Sequence, residues 1–229
     1  MSDYLIDGAI TNAVNFPSIT AAEAPRLTPF VRLAEQLGSF AGQLTDRPIR
    51  SVRLEYVGAV AEMKIKVLTS AVLCGLLKPA LADGVNMVSA PAMAQTRGIR
   101  VEEATRAQDG AFDTYMRLTV KSDGYERSVA GTVFSDGRPR IIQIRGIAMD
   151  VELTSHMIFV RNQDKPGFIG RFGTTMGDAG VNIATLTLGR DQPGGDAICI
   201  AALDNPASDE ILAKVAAIPS VIRATRLAF

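Results

Sequence analysis

Tryptophan is absent from this chain, histidine occurs once, cysteine twice, and aromatic residues make up only 6% of the 229 positions. Each scarcity excludes a chemistry. One histidine and two distant cysteines cannot supply the ligand spacing of a zinc site, and two scattered cysteines cannot hold an iron–sulfur cluster. A serine–histidine–aspartate triad would have to use His156, which lies in the run Leu153-Thr-Ser-His-Met-Ile-Phe-Val160 and reads as a structural residue of a strand. No Walker loop is present. Gly194-Gly195-Asp196 follows Pro193 and reads as a hairpin turn, not a phosphate cradle. Excess charge of either sign is also missing. Lys+Arg and Asp+Glu both total 24, so no net field draws nucleic acid or a membrane surface. The apolar runs fall well short of the roughly 20 residues that cross a bilayer. Met1 is followed by the polar Ser2-Asp3-Tyr4, unlike a secretory leader. Cys74 and Cys199 both sit inside apolar runs, and two buried unpaired thiols suit a cytoplasmic location.

What is present is an apolar fraction of 47%, mostly aliphatic, patterned as two α+β domains. Residues 1–19 read as the end of something larger. Residues 20–150 read as one domain. Its first helix opens at Ala24-Pro25 and carries Phe30, Leu33, Ala34, Leu37 and Phe40 at helical spacing. A strand over 49–60 follows, then a helix with a stripe from Ile65 through Leu68, Val72 and Leu76, and a short helix over 90–96 closed by Gly98. The period then changes to two. Met116, Leu118 and Val120 alternate with polar neighbours, and turns at 122–124 and 136–137 join strands at 125–134 and 140–147. This predicts an antiparallel meander with helices on one face. Residues 151–229 predict a strand over 153–160 and a helix over 168–180 with Phe168, Ile169, Phe172 and Met176 inward. Strands over 181–188 and 196–203, a helix capped by Ser208, and a strand over 221–229 complete a βαββαβ, ferredoxin-like order.

The loop at 161–167 is the most informative stretch. Pro166-Gly167 forces a sharp turn into the following helix, whose free N–H groups and dipole favour a carboxylate. Asp164 stands beside them to attract an ammonium, and Asn182 opens the next strand with an amide that donates and accepts. Together these describe an α-amino-acid site. The alternative is that Asp164 only caps the helix and Asn182 only closes a turn, and the chemistry of the residues leaves both open.

The motifs carry a resemblance. Asn162-x-Asp164-Lys-Pro-Gly-x-Ile-Gly170, followed by Ala179-Gly-Val-Asn182-Ile, resembles the signature of ACT domains, in the version that closes the bacterial D-3-phosphoglycerate dehydrogenases of serine biosynthesis. Leu188-Gly-Arg-Asp-x-Pro-Gly-Gly-Asp-Ala197 is similar to the ACT turn of that group. Ala22-Glu-Ala-Pro-Arg-Leu27, Val88-Ser-Ala-Pro-Ala92 and Arg140-Ile-Ile-Gln-Ile-Arg-Gly146 resemble its intervening, allosteric substrate-binding domain. Residues 1–18 resemble the place where that chain leaves its catalytic domains. The likeness covers essentially the whole sequence.

The resemblance implies a regulatory and oligomerisation segment of an NAD-dependent oxidoreductase, inactive by itself. The Gly-x-Gly-x-x-Gly loop for NAD and the catalytic residues would belong to domains this sequence does not contain. It implies a homo-oligomer in which ACT domains pair side by side and bind L-serine, or a related small acid, at their interface. The effector contacts would fall on Asn162, Asp164, Gly167 and Asn182. Family members strongly inhibited by serine often carry His or Tyr at the position of Asn162. An anion site in the intervening domain would use Arg140, but Glu152 stands where relatives carry a second basic residue. Two other functions compete with this one. A stand-alone amino-acid-binding module would regulate another protein. An iron–sulfur serine dehydratase would share the intervening-domain fold, but the cysteine count argues against it.

Overall fold

A computed structural model describes residue 20 and residues 23–81, 84–107 and 112–229. The exit segment expected at 1–19 lies outside these. The described residues form two compact units, the first ending at Ile141 and the second running from Ile142 to Phe229, and the boundary falls inside a strand.

In the first unit, helix α1 (Ala24–Leu44) buries Leu27, Phe30, Leu33, Leu37, Phe40 and Leu44 along one stripe, and Pro25 sits in its first turn. Helix α2 (Ile65–Leu81) is buried on every side from Val67 to Leu77, as a helix must be when other elements enclose it. The two helices touch backbone to backbone. A Cβ added at Gly38 would lie 2.1 Å from the Val72 carbonyl oxygen, and one added at Gly75 would lie 2.1 Å from that of Glu35. A short helix α3 (Ala90–Thr96) follows.

The sheet under these helices runs β2 (Arg100–Arg106), β1 (Ile49–Gly58), β3 (Thr114–Ser122), β4 (Tyr125–Val133), β5 (Pro139–Ile144) and β6 (Ile147–Val151) in spatial order. Leu54, Leu118 and Val129 form one cross-strand row of its apolar face. Gly131 on β4 makes room for α1, since a Cβ there would come within 2.7 Å of Leu33 Cδ1.

Two features depart from the meander predicted above. Strand β2 is an additional edge strand and pairs with β1 in parallel. Its Arg-Val-Glu-Glu-Ala-Thr-Arg sequence is exposed at all but one position, so no apolar alternation marks it. The strand predicted over 140–147 is instead two strands. Arg145 and Gly146 turn between them with φ of 53° and 85°, the left-handed pair of a type I′ hairpin.

The second unit holds a four-stranded sheet in the order β10 (Val221–Leu227), β7 (Met157–Gln163), β9 (Asp196–Leu203), β8 (Ile183–Arg190). With helices α4 (Phe168–Asp178) and α5 (Asp209–Ala216), the chain order is βαββαβ, as the sequence predicts. One face packs Ile158, Val160, Cys199 and Ala201 against Phe168, Phe172, Met176 and Val215. Each buried Ile, Val, Phe or Met side chain among these contributes about 1.5–3 kcal/mol. The other face is apolar too, with Phe159, Ile198 and Ile200 at most 3% exposed. Strand β6, whose residues fall within this second unit, lies beside it, and Thr187 Oγ1 donates to the Asp150 carbonyl at 3.3 Å.

Three local expectations shift. Strand β7 begins four residues after Leu153 and runs through Asn162 and Gln163, so Asn162 belongs to the strand and not to the loop. Strand β8 extends two residues past Leu188, to Arg190. Ile169, expected inward on α4, is 54% exposed.

Candidate functional site

The site builds up from one end of the second sheet. Registers place Asn162 on β7 opposite Ala197 on β9, and Ala197 opposite Arg190 on β8. The three residues form a row on the helix-bearing face, with the small, fully buried Ala197 as its floor. Asn162 is 2% exposed. Its Nδ2 donates to the neighbouring Gln163 carbonyl at 3.0 Å, while its Oδ1 is buried without a hydrogen-bond partner. A buried acceptor left unsatisfied costs roughly 1–3 kcal/mol.

Two residues on, Asp164 leaves the strand and clasps the β8–β9 hairpin. Its N–H donates to the Gly195 carbonyl at 2.8 Å, and its Oδ2 accepts from Arg190 Nη1 at 2.7 Å and from the Gly194 N–H at 3.1 Å. The Arg190 guanidinium first, and the Gly194 N–H second, hold the Asp164 carboxyl below the ordinary carboxylate range. Asp164 therefore stays ionised at neutral pH. It does not cap the helix. The residue preceding α4 is Gly167, with φ of 91°, and no side chain caps that end. A side chain at that φ would be strained, which explains the glycine. The opening turn of α4 is thus left to other acceptors near Asp164.

Asn162 and Asp164 lie at this end of the sheet, and Gly167 follows three residues on at the start of α4. Asn182 lies at the other end. Its Nδ2 donates to Asp204 Oδ2 at 2.8 Å, and Ile183 beside it pairs with Leu203. That is six residues along β9 from Ala197, or about 20 Å. Within one chain Asn182 ties the opposite end of the sheet. In the first unit, Arg140 is half-buried on β5, with its guanidinium 5.2 Å from the centre of the Phe134 ring.

Arg190 and the Gly194-Gly195 turn are the site residues that sequence reasoning did not assign. The motif around Arg190 was legible, but with the strand ended at 188 this residue fell in a turn. Counting back from the hairpin glycines in steps of two would have put it on the same face as Leu188 and Leu186. Among the described residues no group of three His, Cys, Asp or Glu side chains is placed to hold a metal ion. No described helix is long and apolar enough to cross a membrane.

A ferredoxin-like sheet with a glycine-opened helix, a buried amide and a paired carboxylate at one end defines the class: an ACT domain, which matches residues 156–220. The preceding region, residues 26–145, matches the D-3-phosphoglycerate dehydrogenase intervening domain. The chain belongs to that family. It is 31% identical over 213 residues to the D-3-phosphoglycerate dehydrogenase of Bacillus subtilis, covering 93% of this chain and 41% of the relative. The enzyme of Methanocaldococcus jannaschii is 33% identical over 210 residues, with 92% and 40% covered. That of Archaeoglobus fulgidus is 34% identical over 218 residues, with 94% and 41% covered. The chain thus spans about two-fifths of the length of these relatives, and the likeness is to their regulatory region.

Proposed function

We propose that this chain is the regulatory part of a D-3-phosphoglycerate dehydrogenase of L-serine biosynthesis. It binds L-serine, or a closely related small amino acid, at the Asn162–Asp164–Gly167 end of its ACT domain. The observation that carries this reading is the buried Asn162 Oδ1 without a donor, beside an ionised carboxylate and an uncapped helix start. An ammonium supplies donors to Asn162 and Asp164, and the opening N–H groups of α4 receive a carboxylate.

Assembly supports the same reading. Strand β8 is a sheet edge with no further strand beyond it among the described residues, and Leu186 and Leu188 on it are 38% and 40% exposed. An apolar edge of this kind is a template for pairing. A second copy joined there about a twofold axis would make one continuous sheet. It would also bring a second Asn182 toward the first copy's site. The sequence has no Gly-x-Gly-x-x-Gly spacing of the kind that cradles a dinucleotide.

Thermal unfolding with and without L-serine tests the reading. Ligand at about 100 times its dissociation constant adds roughly 2.7 kcal/mol to the folded state, a rise of several degrees. Asp164→Ala should reduce that rise, and light scattering at tens of micromolar should show a dimer or larger. No rise with any small amino acid, together with a monomeric mass, refutes it.

A further inference from the structure

We propose that Arg190 is the carboxylate-reading residue of this site, and that the Asp164–Arg190 pair selects molecules bearing an ammonium and a carboxylate on the same carbon. The inference rests on the reading of residues 162–167 as an amino-acid site and adds the residue that would set its specificity.

The two members of the pair are held very differently. Asp164 is fixed by its N–H to Gly195 and by the Gly194 N–H on its Oδ2, and its side chain is only 21% exposed. Arg190 is 53% exposed, and its guanidinium makes one contact among the described residues, through Nη1 to Asp164. A guanidinium carries five N–H donors in a planar fork that matches a carboxylate. Four of them remain available here. Asp164 Oδ1 likewise accepts nothing from the described residues, because both of its bonds fall on Oδ2.

The pair therefore presents a fixed acceptor beside a movable set of donors, the mirror image of a zwitterion. Ala197, the residue between Asn162 and Arg190 in the row, is small, and the buried Asn162 Oδ1 has no hydrogen-bond donor. An ammonium set between Asn162 and Asp164 leaves its own carboxylate to be shared by the opening N–H groups of α4 and the Arg190 guanidinium. An exposed ion pair of this kind adds little to folding, so fold stability alone does not account for the arrangement.

The test uses the intact chain with three probes: L-serine, 3-hydroxypropionate, which lacks the ammonium, and ethanolamine, which lacks the carboxylate. Binding is measured by calorimetric titration. The wild type is expected to bind L-serine and neither analogue. Arg190→Ala should weaken L-serine by about 10- to 150-fold and leave ethanolamine and 3-hydroxypropionate as unbound as they are with the wild type. Arg190→Lys should fall between, and both variants should melt within a few degrees of the wild type. If Arg190→Ala binds L-serine as tightly as the wild type, the inference fails while the amino-acid reading stands. A parallel loss of all binding with a lowered melting point makes Arg190 a structural clasp and also overturns it. Wild-type binding of ethanolamine as strong as that of L-serine overturns it too. If the wild type binds none of the three, the amino-acid reading falls and takes this inference with it.

Discussion

Asn162→Val separates folding from function at one position. Asn162 lies in the interior of strand β7 at 2% exposure, with one amide bond to its own neighbour and one acceptor without a partner. Valine removes the unsatisfied oxygen, which costs the wild type about 1–3 kcal/mol, and loses a single neutral hydrogen bond worth about 0.5–1.5 kcal/mol. The freed Gln163 carbonyl belongs to an exposed residue at the strand end, where water replaces the lost donor. Valine is also better suited to a strand than asparagine, although its slightly larger volume returns part of the gain. The net expectation is a ligand-free protein more stable by about 1 kcal/mol, or several degrees in a domain of this size. The same substitution should erase the L-serine-induced rise in melting temperature, because the ammonium loses an acceptor inside the site. Scanning calorimetry with and without L-serine reads both effects on one sample. A variant that melts well below the wild type and still responds fully to L-serine would refute the reasoning, and Asn162 would then be a satisfied structural residue.

Gly38→Ala should destabilise the first unit by about 3 kcal/mol or more. The helix-propensity gain of about 1 kcal/mol is outweighed by a Cβ placed 2.1 Å from a backbone oxygen, and backbone cannot step aside as a flexible side chain would. Urea unfolding followed by circular dichroism checks this, and a midpoint at or above that of the wild type would count against the helix contact. The Asp164 clasp gives a pH dependence. The folded carboxyl lies below its unfolded value of about 4, so its contribution is present above that unfolded value and is lost as pH falls through the lowered one. The melting difference between wild type and Asp164→Asn should hold from neutral pH to about pH 4 and close below it. A difference that persists unchanged at the acid end would show that the carboxylate charge is not its source.

The parts of this fold that were legible in the sequence are those with a periodic apolar signal. The α1 stripe from Phe30 to Phe40, the alternation at Met116, Leu118 and Val120, and the βαββαβ order all depend on one face being buried, and that face writes itself into the spacing. Strand β2 was illegible because an exposed edge strand has no buried face to encode. The β5–β6 hairpin was missed because Arg145 occupies a left-handed position where glycine or asparagine is the usual signal. At the site, Asp164 and Gly167 were legible from loop chemistry. Arg190 was not, since its role depends on the register across three strands. Asn182 was read as reaching the site from a second copy, and within one chain it lies at the other end of the sheet, tied to Asp204.

The two cysteines divide between the two units, Cys74 in the all-round-buried helix of the first and Cys199 in the central strand of the second. Burial raises both thiols above their ordinary range, Cys199 to about 12, so neither offers a thiolate to an alkylating reagent while its own unit is closed. Each unit accordingly carries a single built-in reporter of its own opening. Labelling one thiol at a time against a common clock reads how often the regulatory sheet opens independently of the domain that precedes it. An effector that tightens only the sheet would slow the labelling of Cys199 and leave the rate at Cys74 where it was.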